Sequence, residues 1–477
     1  MVSRNEEKLN SLIKSYLKKY DCCISGRSQD LWCIKQSPLG GFGIFATQDI
    51  EPGELIFLDH PVLLGPRYLN DLPDNCTTCY CKVNIKKCNN CGLLVCESCS
   101  ISENHLKECN LLQKLKNGHD LLEKNRQLTK CLTPLRSLLL DKEDLKVVAS
   151  LKSHKGSQHG YEVHTLTEDL KLQFSSEEKE FLYFVCTVLD ANAYEVSIES
   201  CDSNRGLYPL GSLSNHRCFP NVFHVFDEKH RMVVRASVFI PKNTELFNSY
   251  TILLWGTITR ITHLKNTKHF ICKCDRCKDP SEFGTYLSSV KCKKCPGNLL
   301  PINPLQNSNW QCDTCTSVEP LKEVYRTLSL VGSVLRGFNN EFELIHRFLT
   351  KKLITLVPDS NQVAVELKKK IIWILGYEQG YLLHELPLEL LLLKRQFCKD
   401  ILDILIKLKR GKCKLRGLLC YELYLCTEEL KLRQNFDQCD SKIFEDDSKA
   451  NLLEAIDILK YDSSVSDSLR QKINENQ

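Results

Sequence analysis

Apolar residues follow two different rhythms along this chain. In residues 6–20 they recur at helical spacing on an otherwise charged stretch, which predicts an amphipathic helix with these apolar positions: Leu9, Leu12, Ile13 and Leu17. Residues 31–64 instead carry short apolar runs separated by glycine and proline, a pattern typical of strands. Helical spacing returns in residues 111–184. The N-terminal part should therefore combine short strands with helices.

The chain from residue 320 onward is predicted to be helical throughout. Pro387 is a suitable start for a helix whose apolar positions fall on one face: Leu388, Leu391, Leu392 and Phe397. No repeat consensus of 34 residues is visible, so only a helical bundle follows from the pattern. Residues from Asp462 onward are polar and are expected to fray.

Length and composition limit the class of protein. A chain of 477 residues is too long for one hydrophobic core, so about three domains are expected. The net charge of +5 argues only weakly for an acidic partner. The sequence lacks a signal-peptide pattern and a run of about 18 apolar residues, so we expect a protein of the nucleus and cytoplasm without a membrane partner. We also expect it to be a monomer. Because intracellular thiols stay reduced, the 27 cysteines are interpreted as metal ligands.

Most of these cysteines lie at the spacing of zinc ligands. Eight ligands within about 34 residues suffice for two closed sites, with a redox thiol cluster as the alternative: Cys76, Cys79, Cys88, Cys91, Cys96, Cys99, His105 and Cys109. Two later pairs fit a zinc ribbon: Cys292, Cys295, Cys312 and Cys315. Cys272, Cys274 and Cys277 lack a fourth ligand, which Cys218 supplies if the chain folds back. About four structural zinc ions are expected.

The segments around Cys218 carry a series of motifs. N-H-x-C-x-P-N (215–221), E-L-x-x-S-Y (245–250) and F-x-C-x-C-x-x-C (270–277) together resemble the signature of SET-domain protein-lysine methyltransferases with a post-SET zinc site. The resemblance implies S-adenosylmethionine (AdoMet) as cofactor, contacted by Asn215 and His216, with Phe270 packed on its adenine and Tyr250 as the catalytic tyrosine. Residues 40–47 resemble the first SET strand motif, which implies backbone contacts to AdoMet from Gly41, Phe42 and Gly43. Alone, this glycine cluster is more typical of a hairpin turn.

Two further segments resemble parts of the same architecture. Residues 192–196 resemble the segment whose asparagine holds the cofactor and whose aromatic lines the lysine channel, which implies those roles for Asn192 and Tyr194, although a buried core tyrosine is as good an explanation. The eight-ligand cluster resembles a MYND zinc finger with interleaved pairs, which implies one site from Cys76, Cys79, Cys96 and Cys99 and another from Cys88, Cys91, His105 and Cys109, with Cys81 as a substitute ligand. Such a finger implies binding of proline-containing peptides.

A MYND finger between the first strands and the core of a SET domain is the layout of the SET-and-MYND (SMYD-type) family, and the added ribbon looks most like its arthropod-type members. The resemblance implies an α+β fold with a β-rich SET domain, an inserted MYND finger and helices, post-SET zinc sites and an all-α, tetratricopeptide-like C-terminal domain. The expected division is 1–30, N-terminal helix; 31–75, first part of the SET domain; 76–109, MYND finger; 110–180, helical insert; 181–257, SET core; 258–318, post-SET zinc site and ribbon; 319–477, helical C-terminal domain.

Three functions remain open. The first is an AdoMet-dependent methyltransferase acting on lysines of histones or other proteins. The second is a catalytically weak, zinc-rich adaptor that recruits partners such as transcriptional repressors through its MYND finger; Arg217, a long cation where the family has a small residue, is the main argument for it. The third is nucleic-acid binding, for which Lys291, Lys293 and Lys294 are available but interleaved aromatics are lacking.

Overall fold

The computed structural model describes residues 6–24, 26, 29–68, 74–118, 121–153, 160–198, 201–335, 337–338, 341–433 and 438–476. The strands are β1 (Trp32–Gln36), β2 (Phe42–Ala46), β3 (Leu55–Asp59), β4 (Leu63–Pro66), β5 (Ile85–Lys87), β6 (Leu94–Cys96), β7 (Tyr194–Ile198), β8 (Cys201–Leu207), β9 (Val222–Phe226), β10 (Met232–Ala236), β11 (Val290–Lys291), β12 (Asn298–Pro301), β13 (Trp310–Cys312) and β14 (Val318–Glu319). The predicted α+β class is confirmed, and strands occupy the region 31–64 as the pattern indicated.

One helix precedes the strands, others lie between them in the sequence, and the last seven described helices follow them. They are α1 (Glu6–Lys19), α2 (Glu97–Ser100), α3 (Glu103–Leu115), α4 (Asn125–Lys130), α5 (Leu132–Arg136), α6 (Lys142–Ser150), α7 (Tyr161–His164), α8 (Ser176–Asn192), α9 (Thr257–Lys268), α10 (Asp275–Lys278), α11 (Leu321–Leu335), α12 (Phe342–Lys351), α13 (Gln362–Ile374), α14 (Leu388–Lys407), α15 (Lys414–Arg433), α16 (Gln438–Leu459) and α17 (Asp467–Glu475). Within the part of the chain that is described, none of these helices combines the length and apolar character of a membrane span.

The sheets are small and antiparallel. β1 pairs with β2, β5 pairs with β6, and the orders β3–β10–β9, β4–β8–β7 and β11–β12–β13–β14 complete the set. The two three-stranded sheets bring strands from the N-terminal region beside strands from residues 194–236, because both halves bury apolar residues in one core. α1 packs on this core through Leu9, Ile13 and Leu17, as its spacing predicts.

The ends of two helices follow from local contacts. α8 begins at Ser176, where Ser175 and Glu178 form a capping box. The predicted fraying after Asp462 is wrong, since α17 buries Leu469 and Ile473 against the C-terminal core. Polar contacts add to this packing, since Tyr421 donates to Ser468 Oγ at 3.1 Å and Arg470 pairs with Glu228 at 3.0 Å.

The C-terminal helices dock directly on the strand region. The loop between α14 and α15 lies against the segment after Cys218: Arg410 Nη1 donates to the carbonyls of Pro220 at 2.7 Å and Val222 at 3.0 Å. The amide of Lys412 donates to the Ser237 carbonyl at 2.9 Å. The helical bundle therefore supports the motif-bearing segments from one side.

Candidate active site and metal clusters

Two of the motif segments lie side by side. The amide of Asn248 donates to the Asn215 carbonyl at 2.9 Å, and the amide of Arg217 donates to the Asn248 carbonyl at 2.9 Å. Asn221 fixes the same pair, because its side chain donates to the Glu245 carbonyl at 2.8 Å and accepts from the Phe247 amide at 2.7 Å. The N-H-x-C-x-P-N and E-L-x-x-S-Y segments, distant in sequence, thus form one crossing.

The carboxylate of Glu245 holds this crossing against β2. It accepts hydrogen bonds from Asn215 Nδ2 at 2.7 Å and from Ser37 Oγ at 3.0 Å, and Asn215 Nδ2 also donates to the Phe42 carbonyl at 3.1 Å. A Cβ atom at Gly43 would collide with the Glu245 carboxylate and would lie 3.1 Å from Asn215 Nδ2. Only glycine permits this close approach of the strand to the crossing.

His216 connects the crossing to a cysteine cluster. Its Nδ1 accepts from the Tyr250 amide at 3.0 Å, while its Nε2 lies 3.2 Å from Cys218 Sγ. Its ring centroid is 5.3 Å from that of Tyr250 and 5.9 Å from that of Phe270. The position of Tyr250 is therefore tied, through one imidazole, to the Cys218 cluster.

A cavity of about 1010 Å³ opens beside Tyr250, and its walls include Asn192, Tyr194, Ser249, Tyr250, Trp255 and Lys268. The two tyrosine hydroxyls donate to carbonyls at the two ends of one short turn. Tyr194 bonds to Gly211 at 2.7 Å, and Tyr250 bonds to Ser214 at 2.8 Å. The volume is at the upper end of the roughly 300–1,000 Å³ usual for small-molecule sites.

Burial controls the ionisation of these side chains. It raises the pKa of Tyr194 to about 12 and the pKa of Tyr250 well above its usual value, with Tyr194 and Glu245 adding to the effect on Tyr250. Both phenols thus remain protonated at neutral pH. Beneath the turn, burial raises the pKa of Asp59 to about 8, and Asp59 Oδ2 accepts from the Gly211 amide at 2.8 Å.

The predicted site residues differ in whether they line the cavity. Asn192, Tyr194 and Tyr250 line the cavity, whereas the cavity wall formed by described residues does not include Asn215, His216 or Phe270. The side-chain amide of Asn192 donates to the Val188 and Lys152 carbonyls at 2.7 and 2.6 Å.

The glycine motif serves two purposes. Gly41 forms the β1–β2 hairpin turn at φ +73°, as the simpler explanation of the motif expected, while Gly43 lies in β2 against the crossing.

The structure brings together all four predicted ligand sets, and within each set the ligand atoms lie within 4.8 Å of one another: Cys76, Cys79, Cys96 and Cys99; Cys88, Cys91, His105 and Cys109; Cys218, Cys272, Cys274 and Cys277; Cys292, Cys295, Cys312 and Cys315. Four thiolates bound to one zinc at about 2.3 Å would lie about 3.8 Å apart. The observed separations are 3.7 Å for Cys79–Cys96, 3.8 Å for Cys218–Cys272 and 3.7 Å for Cys292–Cys315.

The donor chemistry of these sets fits zinc. Within the described ranges, the buried His105 Nδ1 has no hydrogen-bond partner, as a nitrogen reserved for a metal would. Cys81 lies outside the ligand sets, with its thiol 3.7 Å from the Val83 carbonyl. Four ligands at each site leave no open coordination position, which is typical of structural zinc.

Several residues at the site were not identified from sequence. Glu245 has a sequence signal, because it opens the E-L-x-x-S-Y motif, whereas Asp59 and Lys268 belong to no motif. Arg217 is engaged at the surface side of the crossing: its Nη2 donates to Asp275 at 2.8 Å, and its guanidinium lies 4.2 Å from the ring centroid of Phe219.

Comparison with known proteins gives consistent matches. A family model described as "SET domain" matches residues 41–251. "SET domain-containing protein SmydA-8, isoform A" of Drosophila melanogaster is 32% identical over 418 residues, covering 83% of this chain and 89% of that protein. "Histone-lysine N-methyltransferase ASHR1" of Arabidopsis thaliana is 26% identical, covering 91% of this chain and 92% of that protein. "N-lysine methyltransferase SMYD2" of Homo sapiens is 24% identical, covering 50% of this chain and 59% of that protein.

Proposed function

This chain belongs to the SET-and-MYND (SMYD-type) family of SET-domain proteins, and we propose that it is an AdoMet-dependent protein-lysine N-methyltransferase. The observation that carries the proposal is the cavity lined by both Tyr194 and Tyr250, directly beside the Asn215–His216 crossing. The names of two relatives, a histone-lysine and an N-lysine methyltransferase, support a protein lysine as the acceptor.

AdoMet is assigned to the residues around the crossing: Gly41, Phe42, Gly43, Asn192, Asn215, His216 and Phe270. They offer main-chain groups of a glycine strand, side-chain amides and aromatic rings, which are the groups that a nucleoside with an amino-acid tail requires. When bound, AdoMet supplies an electrophilic methyl group on its sulfonium. Glu245 keeps Asn215 in place by accepting from its amide at 2.7 Å.

The remaining chemistry concerns the acceptor amine. Lysine has an ordinary pKa of about 10.4, so roughly one amine in 2,500 is neutral at pH 7. Partial desolvation in this cavity, beside the rings of Tyr194, Tyr250 and Trp255, lowers that pKa. The phenol of Tyr250, kept protonated by burial, is suited to orienting the amine by a hydrogen bond and not to removing its proton. Alignment of the neutral amine with the methyl group would then supply much of the rate enhancement.

The four zinc sites are assigned a structural role. The Cys218 site joins the crossing to α9 and α10, and Arg260 and Arg276 reinforce it by pairing with buried Glu282 at 2.7 and 3.2 Å. The finger-like region 76–109 is proposed to be of the MYND type because its ligand pairs interleave.

A second candidate function is recruitment of a protein partner through region 76–109. The observation that favours it is the exposure of three apolar side chains there: Val83 at 67%, Ile101 at 81% and Leu106 at 48%. Binding of a proline-containing peptide at this surface would support an adaptor role, alone or beside catalysis. Histones and other proteins are both proposed as substrates, with action in the nucleus and the cytoplasm.

The proposed activity is tested by two measurements on the full chain. Isothermal calorimetry should detect AdoMet binding by the zinc-loaded protein. Labelled AdoMet should then transfer methyl groups to lysines in an array of histone and non-histone peptides. A protein that binds no AdoMet would contradict the proposal, and one that binds it but labels nothing would favour the adaptor.

Gly43→Val is expected to abolish AdoMet binding without changing the zinc content. The valine side chain would displace the Glu245 carboxylate and Asn215, because the strand approaches them too closely for a Cβ. Calorimetry with AdoMet measures the effect, and elemental analysis measures zinc. Gly332→Val in α11 is the matched control, since a Cβ there would lie more than 4 Å from the described atoms outside its own stretch of helix. Unchanged binding by Gly43→Val would place the cofactor elsewhere.

A further inference from the structure

Lys268, the last residue of α9, extends its amine into the cavity beside Tyr250. The half-buried side chain reaches the C-terminal end of α8, where Nζ donates to the Ala191 carbonyl at 2.8 Å and the Asp190 carbonyl at 3.2 Å. Nζ also lies 5.6 Å from the ring centroid of Tyr250. An ammonium group therefore shares the cavity with the side chain that would orient an acceptor amine.

The surroundings of Lys268 act on its charge in both directions. Burial and the nearby Arg67 lower the pKa of its amine, whereas the Asp190 carboxylate raises it. The two carbonyls at the negative end of α8 also stabilise the ammonium form. Besides Tyr194 and Tyr250, the titratable or charged side chains that the described residues place in the cavity wall are Arg67, Asp190, Glu195, His263, Lys265 and His269.

We propose that Lys268 is a specificity-determining residue of the methyl-acceptor site, whose positive charge disfavours the ammonium form of an incoming lysine and favours the neutral amine. The inference rests on the proposed methyltransferase activity. A like charge in a partly desolvated site destabilises the second cation, and the proton that the substrate loses passes to water. Lys268 would thus act on the acceptor through its charge, from a position next to Asn192, which is assigned to AdoMet.

The size of the effect follows from Coulomb's law. An acceptor amine beside the Tyr250 ring, which lies 5.6 Å from Lys268 Nζ, would be about 6 Å from that cation. Two unit charges about 6 Å apart, at an effective dielectric constant of about 20, shift the pKa of one group by about two units. Solvent at the open cavity reduces this, so we expect about one to two units. Because kcat reports groups in the enzyme–substrate complex, its rising limb with pH should report the bound lysine.

The test compares pH profiles of kcat and KM for wild type, Lys268→Met and Lys268→Arg, with the best-labelled peptide of the lysine-peptide array as substrate. Lys268→Met should move the rising limb of kcat upward by about one to two pH units, so that kcat at neutral pH falls about 10- to 100-fold. The rates of the two proteins should converge at high pH. KM at neutral pH should fall, because the charged substrate is no longer repelled.

Three controls separate charge from structure. Lys268→Arg keeps the cation and should keep the rising limb of kcat within about 0.5 pH unit of wild type. Lys265→Met removes an exposed cation from the same cavity and should move the rising limb less than Lys268→Met does. The thermal midpoint should be unchanged in Lys268→Met, and AdoMet affinity should change far less than kcat. An equal loss of AdoMet affinity would show that Lys268 supports Asn192 through α8 and would overturn the inference. A uniform loss of rate at every pH would overturn the inference and make Lys268 a link between α9 and α8. A wild type that labels nothing would instead overturn the proposed function, and the inference with it.

Discussion

Replacing Cys218 with serine is expected to remove one zinc ion and to abolish AdoMet binding. Cys218 is the one ligand of its set that precedes Tyr250 in the sequence, and its Sγ lies 3.4 Å from Cys277 and 3.8 Å from Cys272. A structural zinc site contributes about 10–16 kcal/mol of apparent binding energy, and a hydroxyl is a poor substitute for a thiolate. Without the metal, the crossing is no longer tied to the post-SET segment.

The loss should reach the cofactor residues through His216. The imidazole lies between Cys218 Sγ at 3.2 Å and the Tyr250 amide at 3.0 Å, so release of the thiolate removes one of its two fixed neighbours. Phe270, two residues before the next ligand, should move with the freed segment. Both assigned contacts to AdoMet would then be displaced together.

Zinc content by elemental analysis and AdoMet affinity by calorimetry measure this effect. Cys315→Ser should also lose one zinc but change AdoMet affinity far less than Cys218→Ser, because the ribbon packs mainly against the C-terminal helices and, among the described residues, Leu305 is its apolar contact with the Cys218 cluster. Cys23→Ser, an exposed thiol outside the four sets, should change neither quantity. A Cys218→Ser protein with full zinc content and unchanged affinity would show that the predicted fold-back does not support the cofactor site.

The cysteine sets were the most predictable part of the site, for a physical reason. Ligands two or three residues apart form a local knuckle whose geometry hardly depends on the rest of the fold. To predict that Cys218 joins Cys272, Cys274 and Cys277, one further assumption was needed, namely that a structural zinc site has four protein ligands. The structure brings the four thiols together. The spacing of the cysteines, combined with the four-ligand preference of zinc, was thus sufficient to predict the ligand sets.

The buried charges could not be predicted in the same way. Lys268 ends a helix rich in polar residues, and Glu245 and Asp59 lie at a strand bridge and a strand end, where charges usually face solvent. Their burial arises only because segments far apart in sequence pack on them, such as the Gly211 turn on Asp59. Sequence periodicity contains no information about that pairing. For the same reason, the hydrogen bonds from Arg410 to the segment after Cys218 could not be predicted from sequence.

The largest effect on the chemical step is expected from Tyr250→Phe, which should lower the rate of methyl transfer about 100- to 1,000-fold. This is the usual cost of losing one positioned hydrogen-bonding group in an active site, about 2.7–4 kcal/mol. The hydroxyl of Tyr250 donates to the Ser214 carbonyl at 2.8 Å at the edge of the cavity, and the ring packs beside His216. Phenylalanine keeps the ring, so the packing and AdoMet affinity should change far less than the rate.

Tyr208→Phe is the matched control for this substitution. Tyr208 is also a buried tyrosine whose hydroxyl donates to a main-chain carbonyl, that of His230 at 2.7 Å, but it lies outside the cavity wall formed by described residues. It should lose about 0.5–1.5 kcal/mol of stability, as expected for one hydrogen bond, while methyl transfer stays within about threefold of wild type. Single-turnover transfer from labelled AdoMet compares the three proteins. Equal rates for wild type and Tyr250→Phe would refute the catalytic role, because only a hydroxyl that acts on the acceptor amine predicts that the two substitutions differ.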